Sequence, residues 1–335
     1  MATGAIPKNK LSQLVAAVGK KGRFYGPVSR DEGVCLAEVS PNDTLVLEYA
    51  NFTLPPKRAF FPRSEVIASH GPDGMVETPP SDENTVLFGV RPCDAMSLAY
   101  LDKVFVDEKF TDPYYRRRRQ HAVIIALACR APAPTCFCTS VHGSPAAQRG
   151  SDILAVDIGE ALVLESVTEA GAAFLAEHAG ILAKPTAAQV KARDAQVAQA
   201  SSQLLPLAIP EAAAKLRACM ESPQWEAISQ PCLGCGVCTY MCPTCHCFGL
   251  YDEQVGGRSR RIRAQDACAF PLFTQEASGH NPRTKQGMRM RQRVMHKFSY
   301  AMDNFGDIFC VGCGRCIIHC PANLDIRETV TKVPQ

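Results

Sequence analysis

The sequence predicts an α/β fold in its first half, built on a parallel-type sheet with covering helices, followed by an all-α C-terminal region. Three observations carry this. Apolar β-like runs alternate with helical segments as far as about residue 160. The composition then turns to alanine, glutamate and lysine, as in "EAGAAFLAEHAGILAKPTAAQVKARDAQVAQASSQL". From residue 226 the chain becomes cysteine-rich and basic, with helical stretches such as "GMRMRQRVMHKFSYAMDNF". The boundaries that follow are 1–160 for an α/β domain, 161–225 for a helical connector and 226–335 for the cysteine-rich domain. A chain of 335 residues with 46% hydrophobic content buries enough core for such a division.

In the first part "DTLVLEYA", "NTVLFGV", "AVIIALAC" and "DILAVDI" read as strands. Between the middle two, "CDAMSLAYLDKVF" sets Met96, Leu98, Leu101 and Val104 at helical spacing, which gives the strand–helix–strand order of a parallel sheet. None of these runs is long enough to span a bilayer, and "MATGAIPKNKLSQLVAAVGKKG" lacks the continuous apolar core of a secretory signal. A cytoplasmic protein is expected. In that setting seventeen cysteines point to metal or redox chemistry and away from disulfides. A net charge of +3 is too small to imply a nucleic-acid or membrane partner.

The third part repeats itself. "CLGCGVCTYMCP" (232–243) and "CVGCGRCIIHCP" (310–321) agree at seven of twelve positions, namely four cysteines, two glycines and the proline. Three thiolates spaced CxxCxxC wrap one iron–sulfur cube, and the fourth cysteine, before proline, serves the other cube. The predicted ligands are Cys232, Cys235, Cys238 and Cys320 for one 4Fe-4S cluster, and Cys242, Cys310, Cys313 and Cys316 for the second. Gly234, Gly236, Gly312 and Gly314 permit the tight backbone. The competing reading is a zinc-stabilised interaction or nucleic-acid-binding module. Zinc sites take two separated CxxC pairs, whereas here four cysteines fall within eleven positions, twice. Met288, Arg291, Met295 and Phe298 share one face of a helix entering the second motif, so the helical kind of two-cluster domain is expected.

Four further cysteines sit where ligands gather in open parallel sheets, outside the carboxyl ends of strands: Cys93, Cys129, Cys136 and Cys138. They make a third cluster site, with Cys136 and Cys138 facing one side of an extended segment. The trio Cys245, Cys247 and Cys268 has three open readings: lining or tuning a cluster, holding an extra metal with His246, or packing. Cys35 and Cys219 stand alone and read as small buried hydrophobes. The basic run "RTKQGMRMRQRVMHK" either offsets cluster charge or docks an acidic partner, and Arg116 to Arg119 read as a solvated face.

The strings "FGVRPCDAMSLAYLDKVF", "DPYYRRRRQHAVIIALAC", "TCFCTS", "WEAISQPCLGCGVCTYMCPTCHCF" and "HKF" leading to "CVGCGRCIIHCP" resemble a known family. From about residue 60 to 327 the chain is similar to the beta subunit of cytoplasmic sulfhydrogenases and the A subunit of anaerobic sulfite reductase. The resemblance implies an alpha-helical ferredoxin domain in an electron-transfer subunit. That subunit would sit between a flavin- and NAD(P)-binding diaphorase partner and a catalytic redox partner of hydrogenase, sulfite or sulfur reductase, or heterodisulfide-reductase type. It adds weight to the Cys93, Cys129, Cys136 and Cys138 site. No dinucleotide fingerprint or P-loop appears, so the chain is not expected to be catalytic alone. The alternative in which the N-terminal sheet carries its own flavin or substrate site stays open.

Overall fold

The computed structural model describes residues 2–71 and 74–334. Its strands there are β1 (Thr3–Pro7), β2 (Arg23–Arg30), β3 (Gly33–Glu38), β4 (Ser64–Gly71), β5 (Gly74–Glu77), β6 (Thr85–Val90), β7 (Ala122–Leu127), β8 (Ile153–Asp157), β9 (Ala161–Ser166), β10 (Phe248–Val255) and β11 (Arg258–Gln265). Seven of them form one sheet in the order β1-β9-β8-β7-β6-β2-β3. The run β2-β6-β7-β8 is parallel, and the outer pairings are antiparallel.

Both faces of this sheet are buried, as parallel strands require. Val86, Phe88, Ile125 and Leu127 point into one core layer, beneath the helices Leu11–Val18 and Glu169–Glu177. Leu87, Ile124 and Ala126 point into the other, against Ala95, Leu98, Leu101 and Phe105 of the helix Pro92–Phe105. The carboxyl ends of β6 and β7 deliver the chain directly to Cys93 and Cys129.

Three expectations need correction. "DTLVLEYA" joins no ladder; its Val46 N–H donates to Pro27 O at 2.8 Å while Leu45, Leu47 and Tyr49 lie on the core. Alternate burial without strand partners produced the pattern. The sheet also runs past residue 160, because β9 pairs with β1 and β8. Finally, the C-terminal region is not all-α. Between the two cysteine motifs it inserts the hairpin β10–β11, whose Val255↔Arg258 register closes over Gly256 and Gly257, both at positive φ. This hairpin pairs with β4 in a second sheet, β10-β11-β4-β5, so the two halves of the chain share a sheet.

A further core joins them. Phe137 and Val141 pack with Trp225, Val294, Met295, Phe298, Ile326 and Val330.

Candidate metal centres

The repeat in sequence is a repeat in backbone. Gly234 and Gly236 take φ of 66° and 74°, and Gly312 and Gly314 take 63° and 72°. Gly236 and Gly314 then open matching four-residue helices, Val237–Tyr240 and Arg315–Ile318, which pack on each other. Each loop turns its cysteines inward around one space, since left-handed glycines let the chain curl where a side chain could not.

Cys232, Cys235, Cys238 and Cys320 line one cavity, together with Cys316 and Arg293. The fourth member arrives from the other motif, 78 positions beyond Cys242 along the chain. Gln286 Nε2 donates to Cys232 Sγ at 2.9 Å, and the Leu324 N–H to Cys320 Sγ at 3.3 Å. Cys242, Cys310, Cys313 and Cys316 form a second, deeper group. Burial pushes Cys310 up to about 12 against the pull of Lys297, with Cys242 and Cys316 adding to the rise. Burial likewise raises Cys313 against Arg315, with Cys242 and Cys316 again contributing.

The third group lies against the second motif. Burial raises Cys129 to about 11 and Cys138 to about 12; Cys136 adds to both, and Cys93 feels both Cys313 and Cys129. The contact is intimate: the Phe137 N–H donates to Gly312 O at 2.8 Å, and Asn51 Nδ2 donates to Cys313 O at 2.9 Å. Arg315, between Cys313 and Cys316, reaches across to form a bidentate pair with Asp94 at 2.6 and 2.7 Å, both side chains 1% exposed.

Whether these groups suit an iron–sulfur cube can be tested on charge. Lys57, Arg91, Arg289, Arg293 and Lys297 are all buried, and among the described residues none pairs with a carboxylate. Arg293 Nε has no hydrogen-bond partner, and Arg293 lines the first cavity beside its thiols. Burying a cation without a counter-charge costs several kcal/mol. A cube held by four thiolates is anionic, so it fits both the soft donor set and the surplus positive charge.

Arg289, Arg293 and Lys297 were legible as a stripe four residues apart, but buried cations do not register as a core face. The predicted face is only partly right: Met295 and Phe298 are buried, while Met288 and Arg291 are half-buried. Arg117, Arg118 and Arg119 pair with Asp82, Glu65 and Asp102, so only part of that run is a solvated face. Cys35 and Cys219 are half-buried and stand apart from the three groups. Of the trio Cys245, Cys247 and Cys268, Cys245 and Cys268 are buried and Cys247 is half-buried.

Residues 231–324 match the family model described as a 4Fe-4S dicluster domain. Over 314 residues, 93% of this chain and 92% of the relative, the chain is 33% identical to the sulfhydrogenase 2 subunit beta of Pyrococcus furiosus. The chain belongs to the sulfhydrogenase beta-subunit family. It is an iron–sulfur protein with 4Fe-4S clusters and an electron-transfer role. Members of this family are parts of larger assemblies, and no described helix here is long and apolar enough to cross a membrane.

Proposed function

We propose that this chain relays electrons through three 4Fe-4S clusters, between a flavin- and NAD(P)-binding partner and a catalytic redox partner. The ligand sets are Cys232, Cys235, Cys238 and Cys320; Cys242, Cys310, Cys313 and Cys316; and Cys93, Cys129, Cys136 and Cys138. One observation carries the reading: the first thiol group opens to solvent, while the second, against which the third packs, lies deeper. Leu233, at the rim of the first cavity, is 70% exposed and Cys235 is exposed. Cys310 and Cys313 are buried, and the third group packs against their loop.

Each cube, when bound, accepts and gives up one electron. The chain's own residues hold the thiolates in register, bury Cys310, Cys313 and Cys138, and offset the charge with Arg91, Arg293 and Lys297. The likeness to a sulfhydrogenase subunit favours a hydrogenase as the catalytic partner. The relay works as a cytoplasmic subunit in which the N-terminal sheet region, through β9, and residues 226–335 each carry part of the path.

Iron and acid-labile sulfide analysis of anaerobically purified protein tests this, with about twelve iron atoms per chain expected at about four per cluster. Cys129→Ser should remove about four of these and leave the other eight. A wild-type chain with eight or fewer would overturn the third cluster, and a zinc-loaded, colourless chain would overturn the whole reading.

A further inference from the structure

The string "CPTCHCF" extends the first motif by residues that the ligand sets leave unused. We propose that Lys297, with Thr244 as anchor, forms a bracket on the Cys242 sulfur that makes the inner of the two ferredoxin-type centres the easier to reduce. This rests on the ligand sets proposed above.

Lys297 Nζ donates in three directions: to Cys242 Sγ at 3.2 Å, to Thr244 Oγ1 at 2.9 Å and to Phe309 O at 3.4 Å. All three of its hydrogens are used, so its head group has one position. Thr244 completes the frame. Its hydroxyl accepts from Lys297 and donates to Phe309 O at 2.7 Å, beside Cys310. Thr244 Oγ1 also lies 3.2 Å from Cys242 Sγ, but its one hydrogen goes to Phe309 O, so it holds Lys297 in place and leaves the sulfur to Lys297.

Cys245, the next cysteine after Cys242, is buried beside this frame, and its carbonyl oxygen accepts from Lys57 Nζ at 2.5 Å. Lys297 itself lies in a π-helical turn, His296–Tyr300, inserted between α-helical segments. The wider turn projects it inward, on the same stripe as Arg289 and Arg293.

Among the described residues the outer centre has no such bracket. Cys232 and Cys320 receive only neutral donors, from Gln286 and from the Gly234 and Leu324 backbone. Arg293 lies near both Cys238 and Cys316, so its charge serves both centres and does not separate them. Lys297 is 4% exposed and touches the inner set alone. Gaining an electron makes a centre more negative, so a fixed cation and a donor on its sulfur favour the reduced form, most strongly where water is excluded. Electrons arriving at the exposed rim would settle one station inward.

The test is a redox titration of the purified full-length chain followed by low-temperature EPR, with the inner signal assigned as the one that Cys313→Ser abolishes. Lys297→Met should lower the reduced-to-oxidised ratio of the inner centre at fixed potential at least about tenfold, or about 59 mV for one electron. The outer centre should not move, and Lys297→Arg should recover most of the loss. Lys297→Gln, which keeps a donor and loses the charge, gives a smaller shift in the same direction and covers the case in which Lys297→Met fails to assemble. An unmoved inner potential in Lys297→Gln, or equal shifts of both centres in Lys297→Met, would overturn the bracket. Iron content in the unsubstituted chain tests the ligand sets separately, so the two readings fail in different measurements.

Discussion

The two cysteine loops have the same backbone and opposite surroundings. Their paired glycines agree in φ to within 3° (66° against 63°, 74° against 72°). Yet Leu233 and Cys235 meet solvent in the first loop, whereas Val311, Gly312, Cys313 and Arg315 are buried in the second. At the matching position the first loop has Val237 and the second Arg315, whose guanidinium is locked on Asp94 and on Phe52 O at 2.8 Å. A ligand frame thus constrains only its own curl. What lies outside the frame decides whether a loop serves as a port or as an interior station.

The sharpest way to break that difference is at Arg315. Removing it leaves Asp94 buried and unpaired beside Cys93, at a cost of about 3–5 kcal/mol. Val237→Ala in the first loop should cost roughly 1 kcal/mol, since it removes two half-buried methyl groups. Chemical denaturation of the two variants under argon measures both. Equal losses would mean that the second loop is not anchored through this pair.

The glycines give a second, smaller contrast. An added methyl group at Gly312 would lie 2.5 Å from the Cys138 backbone nitrogen, whereas at Gly234 its nearest neighbour would be 3.5 Å away. Gly234→Ala should pay mainly for the left-handed backbone, about 1–2 kcal/mol. Gly312→Ala must also push the Cys136–Cys138 loop away, so it should lose more stability and, under the proposed ligand sets, iron from both adjoining groups. Melting temperature and iron content of the two variants decide it. Exposure predicts a further ordering: a hydrophilic iron chelator should strip the Cys232, Cys235, Cys238 and Cys320 group first, and iron lost first from the buried groups would contradict that difference in depth.

Much of this was legible in the chain, for reasons that also explain what was not. β6, β7 and β8 and the helix after β6 announce themselves because burial on both faces leaves continuous apolar runs. The cysteine loops announce themselves because a cube dictates spacing. β11, "RSRRIRAQ", carries almost no apolar alternation; its Arg260, Arg261 and Arg263 pair instead with Glu253, Asp252 and Glu65 on neighbouring strands. Only the Gly256–Gly257 turn hinted at it. Arg315 and Asp94 stand 221 positions apart, and no local pattern links them. The Arg289–Arg293–Lys297 stripe reads as polar in any periodicity argument, although the anionic centres proposed beside it are what make its burial affordable.

The smallest effect concerns the approach to the second loop. Asp307, three residues before Cys310, is held by Lys103 and by a two-pronged contact from Arg149 at 2.8 and 3.0 Å. The hydrogen bonds from Arg149 come first among the causes that bring its carboxyl down to about 2. A depressed carboxylate contributes stability above its unfolded value of about 3.9, and that contribution fades as pH falls through the folded value. The site is partly open to solvent, so the contribution should be no more than about 1 kcal/mol. Asp307→Asn should therefore be less stable than the unsubstituted chain at pH 6, with the gap closing between about pH 4 and pH 2. Acid loss of iron affects both proteins, and the difference between their denaturation curves isolates the clamp. A gap that stayed constant through that window would show that Lys103 and Arg149 grip Asp307 by shape and not by charge.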